Sequence, residues 1–351
     1  MEISKQEIVE LLQSQGEQKR QLFERSMKVK EENVGNFVYF RGLVEFSNIC
    51  SKNCYYCGIR KDNKLVQRYN VSDEEIVEAA RFSHEHGYAS MVLQSGEIKS
   101  NAFTNRITKL LNEIHKVTNN ELHVTLSLGE QDKSTYQQWY NDGAHRYLLR
   151  IESSNPELYY KIHPNDALHS YQERLNALHN LQDIGYQTGT GVMIGLPFQT
   201  IGNMADDLLF MKNFDIDMVG MGPYIEHKET PLYQFKDSLM FWDERFQLTL
   251  KMIAVLRILM PKINIAAATA LQAIDKAGRE KALKIGANVM MPNVTPGQFR
   301  DDYKLYENKP CTDENADDCA NCLEARVSLA GSEIAYNKWG DSLHYQERVS
   351  S

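Results

Sequence analysis

Ser72–Gln94 reads SDEEIVEAARFSHEHGYASMVLQ, and it contains the unit from which most of the chain is built. Ser72 and Glu75 make a capping box, in which each side chain serves the other's backbone N–H and so opens a helix. The helix runs to Gly87, and a glycine just past a helix supplies its left-handed cap. Ala89–Gln94 is then a short apolar strand, buried on both faces. The same grammar returns along the chain: Asp142-Gly143 precedes Tyr147–Ile151, Ile184-Gly185 precedes Gln187–Ile194, and Ile285-Gly286 precedes Asn288–Met291. Val124–Leu128, Met218–Met221 and Asn264–Ala267 fit as further strands, the last after a long helix over Asp243–Met260. With Phe37–Phe46 at the front, about eight strands alternate with helices. Alternation of this kind means a parallel sheet. Eight units predict a closed (β/α)8 barrel of the TIM type, for which roughly 250 residues suffice; residues 36–292 provide that length. An open doubly wound sheet is the alternative, and the lack of a G-x-G-x-x-G run opening a helix weighs against it.

Outside the barrel, residues 1–35 read as two amphipathic helices, with Ile8, Val9, Leu11 and Leu12 on one stripe and Leu22, Phe23 and Met27 on the other. Residues 293–351 change character, with Pro296, Pro310 and the second of two cysteine groups. They predict an irregular C-terminal segment packed on the barrel, too short and polar to bury a core of its own.

Composition bounds the function. The 351 residues are 42% hydrophobic and 25% charged, with a net charge of -8. This is the balance of a soluble globular protein. Without a Lys/Arg block, nucleic acid is not the expected partner. No apolar run approaches the roughly 20 residues of a membrane span. The polar start, MEISKQE, is not a signal peptide, so a cytoplasmic protein is expected. The six cysteines fall into two groups of three with ligand-like spacing, which fits reduced thiolates better than disulfides.

The first group, Cys50, Cys54 and Cys57, is spaced C-x3-C-x2-C with Tyr56 just before the last cysteine. Iron–sulfur clusters are normally held by four cysteines, so three thiolates leave one iron of a [4Fe–4S] cube open. A zinc loop is the competing reading, but zinc wants four ligands and no fourth lies near. This loop resembles the radical S-adenosylmethionine (SAM) superfamily. The resemblance implies that the open iron chelates the amino and carboxylate groups of SAM, and that one electron then splits the sulfonium into methionine and a 5′-deoxyadenosyl radical. It also implies an anaerobic setting and an electron donor such as ferredoxin or flavodoxin.

In such a barrel the chemistry sits at the C-terminal ends of the strands. Gln94-Ser-Gly-Glu97 follows the second strand. It reads as a plain βα turn or, by resemblance, as the Gly-Gly-Glu motif that bonds the SAM amino group, with Ser95 in place of the first glycine before Gly96 and Glu97. On the fourth strand, alternation puts Arg150 and Glu152 on one face and Leu149 and Ile151 on the other. A buried Arg and Glu must pair or bind a ligand. The resemblance implies that Glu152 meets the SAM ribose or nearby substrate and that Arg150 meets substrate or locks Glu152. Arg174 reads by itself as a solvated helix residue; by resemblance it binds the SAM carboxylate. Glycines in the strand Gly189–Gln199 mark a close approach, and the resemblance places Ile194 and Gly195 against adenine. His227, after the sixth strand, is the one histidine placed to line the site. The second cysteine group, Cys311, Cys319 and Cys322, is spaced C-x7-C-x2-C. It reads as a peripheral metal site, an auxiliary [2Fe–2S] or [4Fe–4S] cluster, with zinc or no metal as alternatives.

Further runs narrow the resemblance: Val44-Glu-Phe-Ser-Asn48, Cys57-Gly-Ile-Arg-Lys-Asp-Asn63, Leu93–Glu97, Thr125-Leu-Ser-Leu-Gly-Glu130, Asp217–Pro223 and Asn288–Asn293. Together with the tail cysteines they resemble the HydE-type [FeFe]-hydrogenase H-cluster maturases from about residue 35 to 325. This implies an organometallic Fe(CO)2(CN)–cysteine substrate, other hydrogenase maturases as partners, and pocket positions at Met218, Thr269 and Tyr306. The family often has Thr-Thr at the seventh strand; Ala268-Thr269 here has lost one hydroxyl. A 3-methylornithine synthase-like mutase acting on lysine, an amino-acid-derived substrate, is the alternative of similar kind. Biotin synthase differs in carrying its auxiliary cysteines on strands. A non-catalytic iron–sulfur carrier would explain six cysteines, but not Gly96-Glu97, Glu152 and the glycine-rich strand.

Overall fold

The computed structural model describes residues 3–310 and 316–350, with the side chains of 316–321 excepted. The strands are β1 (Phe37–Phe40), β2 (Gly42–Ser47), β3 (Ser90–Ser95), β4 (His123–Ser127), β5 (Ala144–Leu148), β6 (Gln187–Thr190), β7 (Met193–Ile194), β8 (Met218–Val219), β9 (Gly222–Pro223), β10 (Asn264–Ile265), β11 (Val289–Met290) and β12 (Glu333–Ile334). Seven of them form one parallel sheet in the order β10-β8-β6-β5-β4-β3-β2. Residues 288–294 supply the eighth position. Their backbone bonds Ile265 and Ala267 on one side and Tyr39, Arg41 and Leu43 on the other, through Asn288 N to Ile265 O at 2.9 Å and Leu43 N to Pro292 O at 2.7 Å. Since β1 runs straight on into β2, the ring closes. The fold is a (β/α)8 barrel.

The helices form because the sequence caps them and stripes them. Ser72 and Glu75 make the expected capping box, and the helix Asp73–Glu85 buries Ile76, Ala79 and Ala80. The outward residues of each strand, such as Met91 and Leu93 of β3 or Val124 and Leu126 of β4, meet these faces in one continuous core. The inward residues are more polar and stack in layers across the bore. β6–β7 and β8–β9 are two strands that bend together. A Cβ at Gly191, in the bend, would stand 1.9 Å from the Gly220 carbonyl oxygen, so glycine is required for the close approach. The N-terminal helices, Lys5–Gln13 and Gly16–Val34, lie over the outer helices Trp242–Leu259 and Gly278–Ile285. There the buried Lys30 ammonium caps the Leu283 carbonyl at 2.6 Å. No helix among the described residues is long and apolar enough to cross a membrane.

Two expectations need correction. The fourth strand is Ala144–Leu148, about three residues earlier than the apolar run implies, because Arg146 pairs in register with Gln187 at the foot of the barrel. Arg150 and Glu152 therefore lie beyond the strand, where Glu152 takes a left-handed φ of 64°. The C-terminal segment is also less irregular than its prolines and glycines imply. It contains helices Ala316–Leu329 and Leu343–Ser350 and strand β12, which extends β1 on the side away from β11.

That segment also closes the N-terminal end of the barrel. Arg146, fully buried, donates to both Asp341 Oδ1 and the Trp339 carbonyl, the latter at 2.6 Å. Gln187 donates to Asp341 at 3.0 Å, and Arg41 and Asn264 both donate to the Gly340 carbonyl, at 3.1 and 2.8 Å. His123 stacks on Trp339 with ring centroids 3.6 Å apart, and His145 approaches Asp341 at 3.3 Å. Asp341, with its carboxyl pulled well below the usual range, is the hub. Burial opposes that shift, and the bonds from His145 and Arg146 overcome it. A cluster of two histidines and one aspartate is thus spent on fastening the chain to the barrel floor.

Candidate active site

A cavity of about 340 Å³ opens at the C-terminal ends of the strands. Cys50, Cys54 and Cys57 line it, and all three are free thiols. The loop that carries them is bound on every side. Ser51 N and Oγ both donate to the Glu97 carbonyl at 2.8 Å, and Gly58 N donates to the Leu305 carbonyl at 2.9 Å. Arg68 holds the carbonyls of Asn48, Ile59, Arg60 and Asn63 at 2.6 to 3.1 Å. The loop also lies against the end of β3. A Cβ at Gly96 would meet the Ile49 carbonyl oxygen at 2.3 Å and Cys50 Cβ at 2.8 Å. The backbone N–H groups of Lys52 and Glu97 point at Cys50 Sγ, at 3.4 and 3.3 Å. Burial pushes all three thiols up, Cys54 to about 12 with the neighbouring Cys50 adding to the effect. Alone they would stay protonated; a metal would hold them as thiolates.

Beside the cysteines stands a buried set of two cations and two carboxylates. Lys52 Nζ lies 3.0 Å from both Glu97 Oε1 and Glu130 Oε2. Arg174 lies 2.6 Å from Glu130 through Nε and 3.8 Å from Glu97 through its terminal nitrogen. Arg174 is therefore not a solvated helix residue: the helix Tyr171–Ile184 buries it along with Ala177, Leu178 and Leu181. The two carboxyls differ. Burial raises Glu97, and Glu130 beside it adds to the rise, against Arg174 and Lys52. Burial also opposes ionisation of Glu130, but Arg174 and Lys52 overcome it and hold its carboxyl below the ordinary range. Glu97 carries the weaker claim on the two cations. A Cβ at Gly129 would stand 2.2 Å from Glu97 Oε2, and Gly129 has a φ of 75°. Glycine alone permits that carboxylate to fold in.

Arg150 and Glu152 pair across the cavity wall at 3.0 Å, and Arg150 also donates to the Val192 carbonyl at 2.9 Å. Burial raises the Glu152 carboxyl, with Arg150 and Arg174 opposing. The turn after Glu152 is pinned by Asp207, whose Oδ1 accepts from Ser154 N at 2.7 Å and Ser154 Oγ at 2.6 Å. Tyr171 donates to the Ser154 carbonyl at 2.6 Å.

Tyr56, Ser95, Gly96, Glu97, Arg150, Glu152, Arg174, Thr269 and Tyr306 all line the same cavity as the three cysteines. Ile194 and Gly195 do not: Ile194 packs into the outer core, and this strand shows Met193 to the cavity instead. Met218 lies one layer lower, on a small chamber of about 30 Å³, where its sulfur accepts from Arg41 at 3.1 Å. His227 packs behind the cysteine loop, where a Cβ at Gly58 would meet its ring at 2.5 Å, and does not line the cavity. Cys311 lies outside the described residues, as does the side chain of Cys319. Cys322, on the helix Ala316–Leu329, accepts from Arg326 Nε at 3.3 Å.

Sequence reasoning missed Lys52, Glu130 and Arg68 as site residues. It also missed the buried pair Glu45–Lys309, with Lys309 Nζ 2.6 Å from both carboxylate oxygens, on the cavity wall away from the barrel floor. The signal for Lys52 was its place between two ligand-spaced cysteines. Nothing local marks the others.

The donor set fits the group that the loop spacing implies. Three partly buried thiols without disulfide partners and a charge-balanced wall share one chamber that two strand-end glycines hold open. A barrel with such a chamber over a three-cysteine loop defines a class of enzyme, and comparison with known proteins agrees. Residues 44–211 match the Radical SAM superfamily. The chain is 45% identical over 328 residues to the [FeFe] hydrogenase maturase subunit HydE of Thermotoga maritima, covering 93% of this chain and 90% of that one. It is 28% identical to the 3-methylornithine synthase of Methanosarcina acetivorans over 78% of this chain and 74% of that one. A solved methylornithine synthase superposes with a TM-score of 0.81 at 24% identity, covering 96% of this chain and 95% of the other, a likeness of fold. The chain belongs to the radical SAM superfamily and, within it, to the HydE family of [FeFe]-hydrogenase maturases. It is an enzyme, and membership implies a [4Fe–4S] cluster and SAM as its cofactors.

Proposed function

We propose that this enzyme uses the 5′-deoxyadenosyl radical on an Fe(CO)2(CN)–cysteine unit, in assembly of the diiron subcluster of [FeFe]-hydrogenase. The observation that carries the reading is a single chamber with three free thiols at one end and the polar residues Thr269, Tyr306, Glu45 and Lys309 elsewhere on its wall, in a chain this similar to HydE. Bound at Cys50, Cys54 and Cys57, a [4Fe–4S] cluster with SAM would supply reductive cleavage of the sulfonium. The chain's own residues bind and orient. Glu97 accepts from the SAM amine, and Gly96 lets the backbone approach. Arg174 pairs with the SAM carboxylate, the planar guanidinium suiting a two-pronged contact. Glu152 takes the ribose hydroxyls, Arg150 fixes Glu152 and faces the substrate, and Tyr56 covers the cysteine loop. Met193, which this strand shows to the cavity in place of Ile194 and Gly195, borders the adenine. Thr269 and Tyr306 border the substrate, and Met218 forms the floor beneath it. Cys311, Cys319 and Cys322 hold a peripheral auxiliary cluster. The protein works in the cytoplasm with other hydrogenase maturases, and an electron carrier supplies its reductant.

The test is anaerobically reconstituted protein with dithionite and SAM, given the synthetic Fe(CO)2(CN)–cysteine complex or lysine and frozen for EPR. A new iron-centred paramagnetic signal that consumes SAM supports the maturase. Turnover of lysine with indifference to the complex moves the enzyme to the mutase reading, which the 28% identity to 3-methylornithine synthase keeps in view.

A further inference from the structure

We infer that His123, His145 and Asp341, which fasten the C-terminal segment to the barrel floor, also form a site for one divalent transition-metal ion, with Zn2+ the best fit. The site lies at the other end of the barrel from the cysteine loop and is independent of the reaction proposed above. His123 opens β4, His145 stands on β5, and Asp341 lies between β12 and the last helix. One ligand atom from each residue lies within 4.8 Å of the other two. His145 Nε2 is 3.3 Å from Asp341 Oδ1. Two atoms bound to one zinc in a tetrahedron, each at about 2.0–2.1 Å, stand roughly 3.3 Å apart. An ion here takes the place of the proton that the imidazole shares with the carboxylate.

The fastening bonds leave donor atoms over. His123 Nδ1 is buried and meets no hydrogen-bond partner, a state that costs stability unless something else satisfies it. The bonds that hold Asp341, from Arg146, Gln187 and His145, all end on Oδ1. Among the described residues none reaches Oδ2, so the carboxylate keeps a second oxygen for an ion. Arg146 and Gln187 are then the outer partners that orient a ligating carboxylate. The Arg146 guanidinium also offsets the carboxylate's charge, which sets the affinity in the micromolar range and not that of a zinc finger. Two imidazoles and one carboxylate are ligands that zinc takes, with water in the fourth position. Trp339, 48% exposed and stacked on His123 at 3.6 Å, borders the way in from solvent. The ion joins two strands to a residue 196 positions beyond His145. It binds the folded chain alone and so stabilises it by mass action.

The experiment uses untagged, cluster-reconstituted enzyme under argon, so that the cysteines are occupied, after loose metal has been stripped. Titration calorimetry with Zn2+ should show one site of micromolar affinity. His123→Ala and His145→Ala should each weaken it about 10-fold or more. Saturating Zn2+ should raise the melting temperature of wild type by a few degrees and leave both variants unmoved. Co2+, a paramagnetic ion of similar ligand preference, should quench the fluorescence of Trp339, and Trp339→Phe should remove that quenching. Zn2+ binding that both histidine variants keep undiminished puts the ion elsewhere, as on the tail cysteines, and overturns the site. Wild-type fluorescence that Co2+ leaves unchanged overturns it too, and that result needs no variant to fold.

Discussion

Asparagine in place of Asp207 should stabilise the protein, and by more at alkaline than at acid pH. Asp207 sits fully buried on the helix Ile201–Asn213. Burial drives its carboxyl from 3.8 up to about 7, with the two bonds from Ser154 opposing and the neighbouring Asp206 adding. A carboxyl raised by folding means that the folded chain holds a proton which the unfolded chain has released. Its contribution is complete below the ordinary carboxylate range and is lost progressively as pH climbs to about 7. A rise of roughly three units corresponds to about 4 kcal/mol at most, of which about 2 kcal/mol is lost between pH 5.5 and 8.5. The substituted amide, in Asp207→Asn, would keep an oxygen for both Ser154 donors and remove the buried charge. Urea unfolding under argon at pH 5.5, 7 and 8.5 should show the gap between variant and wild type widening by about 2 kcal/mol, on the order of 4 °C in melting temperature. A gap that stays constant or narrows as pH rises would refute the reasoning. It would mean that Asp207 is ionised in the fold and that its charge, not its shape, holds Ser154.

Other substitutions probe other parts of the site. Gly96→Ala puts a Cβ 2.3 Å from the Ile49 carbonyl oxygen, so the cysteine loop must shift; iron content after reconstitution should fall by half or more. Lys52→Met leaves Arg174 to balance both Glu97 and Glu130, and equilibrium binding should show SAM affinity down at least 10-fold. Asp341→Asn strands the buried Arg146 guanidinium and should cost about 3 kcal/mol in urea unfolding. Because the Asp341 carboxyl is held far below its usual range, that cost should be constant from pH 5 to 8 and shrink only below about pH 4. Cys54→Ser should abolish SAM cleavage and Cys319→Ser should leave most of it, as product analysis by chromatography can show; equal loss would make the tail cysteines more than peripheral.

What was legible in the sequence was whatever local chemistry encodes. The capping box at Ser72, the helix-terminal glycines and the buried apolar runs mark eight strands, because each is decided within a few residues. The cysteine loop and Gly96-Glu97 are equally local. Arg174 misled because amphipathic spacing cannot tell a solvated arginine from one facing two buried carboxylates of distant strands. Glu130 and Lys309 were silent for the same reason: their partners are far off in sequence, Lys52 by 78 residues and Glu45 by 264. Proline and glycine made the tail look irregular, whereas its order comes from contacts at the barrel floor that no local signal encodes.

That floor bears on the order in which the enzyme is made. A ribosome delivers all eight strands by residue 294, yet Trp339 to Ser342 emerge some 45 residues later. Until they arrive, Arg41 and Arg146 lack the Gly340 and Asp341 partners that hold them in the complete fold. The N-terminal end of the bore is covered only once those residues are in place. A chain stalled before residue 339 would leak solvent into the very space where a carbon radical has to survive.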